Sequence, residues 1–153
     1  EMFGSREKEY LEILEECGLS LTSPDLWWKK YPKRAVEEIY KMQENTHSTF
    51  FCKGKQLIWE VQMINDFGSY FLISIETDSG YPFTAPKVFM KDPELEADYC
   101  MHVYSDKSLC LFRPEVYSSS MSILDIRNVA ASWIHCYEIF LNTGEWAGAE
   151  ADH

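Results

Sequence analysis

Residues 56–77 read QLIWEVQMINDFGSYFLISIET, and the fold turns on how that stretch is divided. Residues 56–64 and 69–77 are rich in β-branched and aromatic side chains, and Asn65-Asp66-Phe67-Gly68 between them has turn chemistry, which predicts a β-hairpin. In the second run Phe71, Ile73 and Ile75 fall on one face and Leu72, Ser74 and Glu76 on the other, the period of a strand with one side in a core. The loop DSGYPFTAP (78–86) leads to a third apolar run, Lys87-Val88-Phe89-Met90. Such short links do not hold helical crossovers, so three or four strands form an antiparallel meander.

Helical patterns flank the meander. Ser5 is placed to cap a helix through REKEYLEILEEC (6–17), with Tyr10, Leu11, Leu14 and Cys17 near one face and Gly18 as its stop. A turn at TSPD (22–25) precedes Trp27-Trp28. Pro32 then opens a helix over roughly 32–45, where Ala35, Ile39 and Met42 recur at helical spacing. Residues 92–121 carry little regular pattern, a length of irregular chain usually associated with function. The last long element, roughly 122–142, is a helix with a wide apolar surface through Ile126, Ala130, Trp133, Ile134 and Tyr137, ended by Gly144. Trp146, in the tail, is expected to pack back on the body. The expected class is α+β: an N-terminal helix, an antiparallel four-stranded meander, a long loop and a C-terminal crossing helix. One domain spans 1–153, with 1–30 as an N-terminal helical extension.

The 153 residues are 46% hydrophobic and 15% aromatic, enough for a packed core. With 14 Lys and Arg against 25 Asp and Glu, the net charge of −11 repels phosphate backbones and argues against nucleic-acid or anionic-membrane binding. Lys29, Lys30, Lys33 and Arg34 form a basic cluster, read mainly as a solvated helix start. No apolar run is long enough to span a bilayer and no signal peptide is evident. Five cysteines, an odd number in mostly apolar or helical contexts, suit reduced thiols in a cytoplasmic protein.

One cysteine stands apart. In HVYSDKSLCLF (102–112), a polar turn runs into Cys110. A metal site built from Cys100, His102 and Cys110, with His135 or Cys136, lacks the paired C-x-x-C knuckle of structural zinc. A Cys-His nucleophile pair of Cys110 with His102 or His135 needs the imidazole at the sulfur. A cysteine that accepts an acyl group and hands it on needs an approach from a loop, which the turn before Cys110 and RPEVYSSS (113–120) after it provide. A thiol between two leucines also reads as ordinary core.

SGYPFTAPKVFM (79–90) resembles the segment of ubiquitin-conjugating enzymes in which Tyr-Pro-Phe and a later Pro-Lys-Val precede the last strand of the meander. In that family a His-Pro-Asn turn follows, and then the active cysteine before a leucine. Here His102 stands at the histidine, and Cys110-Leu111 follows eight residues later. The ending, with its W...YE....TG.W.G....H pattern, is similar to bacterial relatives encoded in the anti-phage signalling systems called CBASS. The resemblance is strong over 80–146, looser over 32–79, and does not reach the first thirty residues.

It implies a UBC-like fold and a transferase. Cys110 would carry the C-terminus of a cGAS-like nucleotidyltransferase or a ubiquitin-like protein as a thioester, with or without an activating enzyme, and pass it to a lysine of a protein acceptor. An interaction module with the same fold, binding the same partner, is the alternative. His-Val-Tyr replaces His-Pro-Asn, so Tyr104 occupies the position of the family's asparagine; its hydroxyl is able to donate to an oxyanion. His102 is expected to brace the loop. Asp106 and Glu115 are candidates to orient or deprotonate the incoming amine. The transfer step itself calls for no metal or organic cofactor. The helix carrying Arg34, Glu37, Glu38 and Lys41 lacks the strongly basic face that docks a eukaryotic activating enzyme.

Overall fold

A computed structural model of the chain describes residues 4–98 and 101–147. Helix α1 (Gly4–Glu16) leads to a single helical turn, α2 (Trp27–Lys30), and then to α3 (Pro32–Asn45). Four strands follow, β1 (His47–Lys53), β2 (Gln56–Ile64), β3 (Tyr70–Glu76) and β4 (Lys87–Asp92), and helix α4 (Ile123–Thr143) comes last. The sheet runs β1-β2-β3-β4 with every pair antiparallel, which is the expected meander. No helix among the described residues is long and apolar enough to cross a membrane.

The hairpin register sets the core face. Trp59 pairs with Ile75, Val61 with Ile73 and Met63 with Phe71, and all six are buried. Helix α3 covers this layer with Ala35, Val36, Ile39 and Met42, and α4 adds Ile126, Ala130, Trp133 and Ile134. The turn between β2 and β3 is closed by Asn65, whose Oδ1 accepts from the backbone N–H groups of Phe67 at 3.0 Å and Ser69 at 2.8 Å. Gly68 supplies the positive φ of +79° that the turn requires.

The helix ends follow from their sequences. Gly18, at φ +87°, ends the N-terminal helix, and Leu19 N–H returns to Leu14 O at 3.1 Å. Ser122 and Asp125 form a capping box at the start of α4, each side chain accepting from the other's backbone N–H, at 3.0 and 2.9 Å. Gly144, at φ +78°, closes the same helix. The proposed cap at Ser5 lies outside the described side chains.

Two details depart from the sequence reading, and the burial of two tryptophans adds to it. Cys17 is exposed, and Ile13 packs against the core beside Leu14 instead. Trp27 and Trp28, expected after a turn, are fully buried; Trp27 Nε1 donates to Thr77 Oγ1 at 2.8 Å and Trp28 Nε1 to Ser20 O at 2.7 Å. Arg34 does not belong to a solvated basic cluster. Its guanidinium donates to Glu38 at 3.0 Å, to Tyr81 at 3.1 Å and to the carbonyls of Ser119 and Met121 at 2.7 and 2.8 Å.

Glu38 is the centre of that network and only 1% exposed. Its carboxylate also accepts from the Tyr81 hydroxyl and from Ile123 N–H. A buried carboxylate is tolerated only when so fully paired. Here the pairing ties α3 to the loop before β4 and to the entry of α4, so the C-terminal end of the irregular segment 92–121 is anchored to α3.

Candidate active site

The irregular segment is held to the sheet by backbone pairing. Leu109 N–H donates to Val88 O at 2.8 Å, which attaches the run before Cys110 to β4. Cys110 N–H donates to His102 O at 2.8 Å, and Tyr104 N–H to Ser108 O at 2.9 Å, so residues 102–110 form a tight loop closed on itself. Two of its residues, His102 at φ +56° and Lys107 at φ +72°, occupy the left-handed region without being glycine. Such backbone persists where surrounding contacts hold it.

Those contacts are visible at each corner. His102 is buried, its ring 4.6 Å from that of Trp146, and its carbonyl accepts a second hydrogen bond from Trp133 Nε1 at 3.3 Å. Trp146 therefore packs back on the body, against His102, Trp133 and Phe140. At the other corner Asp106 Oδ1 accepts from Ser108 N–H at 2.9 Å and its hydroxyl at 2.5 Å, while Oδ2 meets Lys87 Nζ at 2.8 Å. The lysine and the serine hold the Asp106 carboxyl down at about 2. A carboxylate so engaged is a weak base near neutrality; its geometry suits bracing the turn.

Cys110 lies within this frame, buried and 4% exposed. The Tyr104 hydroxyl hydrogen-bonds to its sulfur. Burial pushes the thiol up and the tyrosine's hydrogen bond pulls it back, the net result being a pKa above the ordinary thiol value. That bond, together with burial, pushes the tyrosine itself up to about 12. The approach expected to be open is thus covered at the sulfur, although the neighbours Tyr104 and Leu111 are only partly buried.

A cleft of about 470 Å³ runs beside the cysteine, lined by Pro86, Lys87, Tyr104, Asp106, Leu111 and Phe112 among others. Tyr104 and Asp106 are therefore brought together at one wall. Glu115 sits exposed on a short 3-10 turn, Pro114–Val116, and is not part of that lining. His135 is exposed on α4 and lines a different groove. Among the described residues no three of His, Cys, Asp and Glu converge as a metal-holding group, and Cys100 lies outside them.

Lys87, Ser108, Trp133 and Trp146 complete the frame without having been singled out as site residues. Lys87 and Asp106 are 19 positions apart, and only the pairing of the loop with β4 makes them neighbours.

Comparison with known proteins places the chain. The model of a family described as Type II CBASS E2 protein matches residues 36–153. No curated protein matches the chain. Among solved structures, the crystal structure of ubiquitin conjugating enzyme E2 UbcA1 from Agrocybe aegerita is similar over 72% of this chain and 92% of its own, at 20% identity and a TM-score of 0.46.

Proposed function

The chain belongs to the Type II CBASS E2 family, and on that premise we propose that Cys110 carries an acyl group as a thioester and delivers it to an amine. The observation that supports this most directly is the Tyr104 hydroxyl on the Cys110 sulfur at the edge of a cleft. A hydroxyl donated to sulfur favours the thiolate, which is the nucleophile, and offsets part of the burial that raises the thiol.

In the first step the Cys110 thiol gives its proton to solvent, and the sulfur attacks the carbonyl carbon of the donor's C-terminus. A carbon–sulfur bond forms, and the adenylate, or the thiolate of an activating enzyme, leaves with the bonding pair. In the second step an amine, most simply a lysine side chain, attacks the thioester carbon. The tetrahedral oxyanion collapses to an amide, the Cys110 thiolate departs, and the amine's proton passes to solvent. Tyr104 is the donor placed to stabilise the departing thiolate or the oxyanion, and removing one such donor typically costs about 3 kcal/mol of barrier. His102 and Asp106 hold the loop in which both residues sit. Glu115 remains a candidate to orient the amine, on the exposed turn beyond the cleft. The donor is the C-terminus of a cGAS-like nucleotidyltransferase or of a ubiquitin-like protein, and the setting is anti-phage defence.

The burial of the thiol favours a second reading, a binding module of the same fold whose cysteine is only packed. Intact mass and non-reducing gels after co-expression with the partner proteins separate the two. Transfer predicts a thiol-sensitive adduct that Cys110→Ala abolishes, that Cys110→Ser converts to a more stable oxyester, and that Cys110→Lys traps as an isopeptide. An adduct that survives Cys110→Ala, or full biological activity in that variant with no adduct, removes the catalytic assignment.

A further inference from the structure

Among the described residues, four side-chain nitrogen or oxygen atoms are buried without a hydrogen-bond partner: Trp59 Nε1, Asn65 Nδ2, Arg127 Nε and Glu138 Oε1. The last three line one groove of about 330 Å³ between the β2–β3 turn and α4. Buried polar atoms are nearly always paired, so three orphans around one groove call for an explanation. Asn65 is locked by the turn it closes: its Oδ1 serves the N–H groups of Phe67 and Ser69, which leaves Nδ2 as the unused end.

Met63, Phe71, Ala131 and Ile134 give the groove an apolar lining, with Asp66 and His135 also on it. At the rim Ile64 is 72% exposed and Phe67 81% exposed. Arg127 and Glu138 carry opposite charges and stand 11 residues apart on α4, about 16 Å of helix at 1.5 Å per residue. A small anion cannot reach both, and Glu138 repels one. An extended peptide of about five residues spans that length, and its main chain offers acceptors to the arginine and asparagine and a donor to the glutamate.

We propose that this groove docks an extended segment of a partner protein, its carbonyls accepting from Arg127 Nε and Asn65 Nδ2, its N–H donating to Glu138 Oε1, and an apolar side chain seated between Phe67 and Ile134. The groove shares no lining residue with the cleft beside Cys110, so docking and acyl transfer use separate surfaces. The inference does not rest on the cysteine being catalytic.

Selection of a displayed library of capped random heptapeptides against the full chain tests it, with affinities of the enriched peptides read by fluorescence anisotropy. Enriched peptides should carry a central apolar residue and shift the amide resonances of residues 63–67 and 127–138. Arg127→Met and Glu138→Met should each weaken their binding about tenfold. Because both substitutions replace an orphaned polar atom by an apolar one, the melting temperature of the unbound chain should hold or rise by about 2 °C. The proposal is overturned if no peptide is enriched, if binding is indifferent to both variants, or if both variants melt lower, since the atoms would then have partners within the chain.

Discussion

The hydroxyl of Tyr104 and the thiol of Cys110 share a hydrogen bond, and each changes the acidity of the other. The tyrosine donates, so the bond is stronger when the sulfur is charged. Burial works in the opposite direction and prevails, leaving the thiol above its ordinary value. Alkylation of Cys110 by iodoacetamide should therefore keep accelerating with pH beyond the point where an unstructured cysteine peptide levels off. Site-resolved mass spectrometry measures this directly, and a profile that levels off below the peptide's contradicts it.

Tyr104→Phe removes the donor and keeps the ring. With nothing left to favour the thiolate, the thiol's pKa rises further and alkylation at pH 8 should slow about tenfold, matching the ~1.5 kcal/mol of a hydrogen bond to a charged group. An unchanged or faster rate would mean that the hydroxyl serves only as a lid.

Asp106 links Lys87 to Ser108 across the base of the site loop. Its carboxyl is lowered to about 2 in the folded chain from 3.8, so its contribution is complete above about pH 4 and is lost as pH falls through 2. The side chain is 42% exposed, and after solvent screening the Asp106→Ala variant should lose under ~1 kcal/mol of global stability. The local effect should be larger: hydrogen exchange at the Lys107 and Ser108 amides should quicken while that of β2 and β3 stays unchanged.

Glu38→Ala leaves the Arg34 guanidinium and the Tyr81 hydroxyl without their carboxylate, in a site where Glu38 is 1% exposed. Removing one member of a buried charge pair costs about 3–5 kcal/mol, and chemical denaturation should show a loss of that order. A loss below ~1 kcal/mol would mean that water already reaches the cluster.

Ser122→Ala removes one half of the capping box on α4. The expected cost is ~1 kcal/mol, with Ser122→Asp restoring most of it; a variant as stable as the parent would place the helix start elsewhere.

Strong periodicity made most of the fold legible. Ala35, Ile39 and Met42 marked α3, and alternation through Phe71, Ile73 and Ile75 marked β3 and its buried face. Strand β1 carried no such mark, because HSTFFCK lies at the sheet edge and alternates between exposed and half-buried residues without a buried one. Partners distant in the chain escaped for a different reason. Arg34 looks like part of a lysine-rich cluster until Tyr81, 47 residues on, turns it inward. That Cys110 follows a turn in an irregular segment was legible from residue types and their resemblance to a family. The coverage of the sulfur by Tyr104 was not, because it depends on two left-handed residues and on β4 receiving Leu109.

The His102 carbonyl holds two donors at once, the amide of Cys110 and the indole of Trp133 on α4. One oxygen atom thus joins the loop that holds Cys110 to α4, the longest helix among the described residues. A shift of the Trp133 indole that breaks its bond leaves the His102 carbonyl to the Cys110 amide alone. The ring of Trp146 bridges the same two sides, against His102 on one and Trp133 on the other, so loop and helix are doubly fastened there.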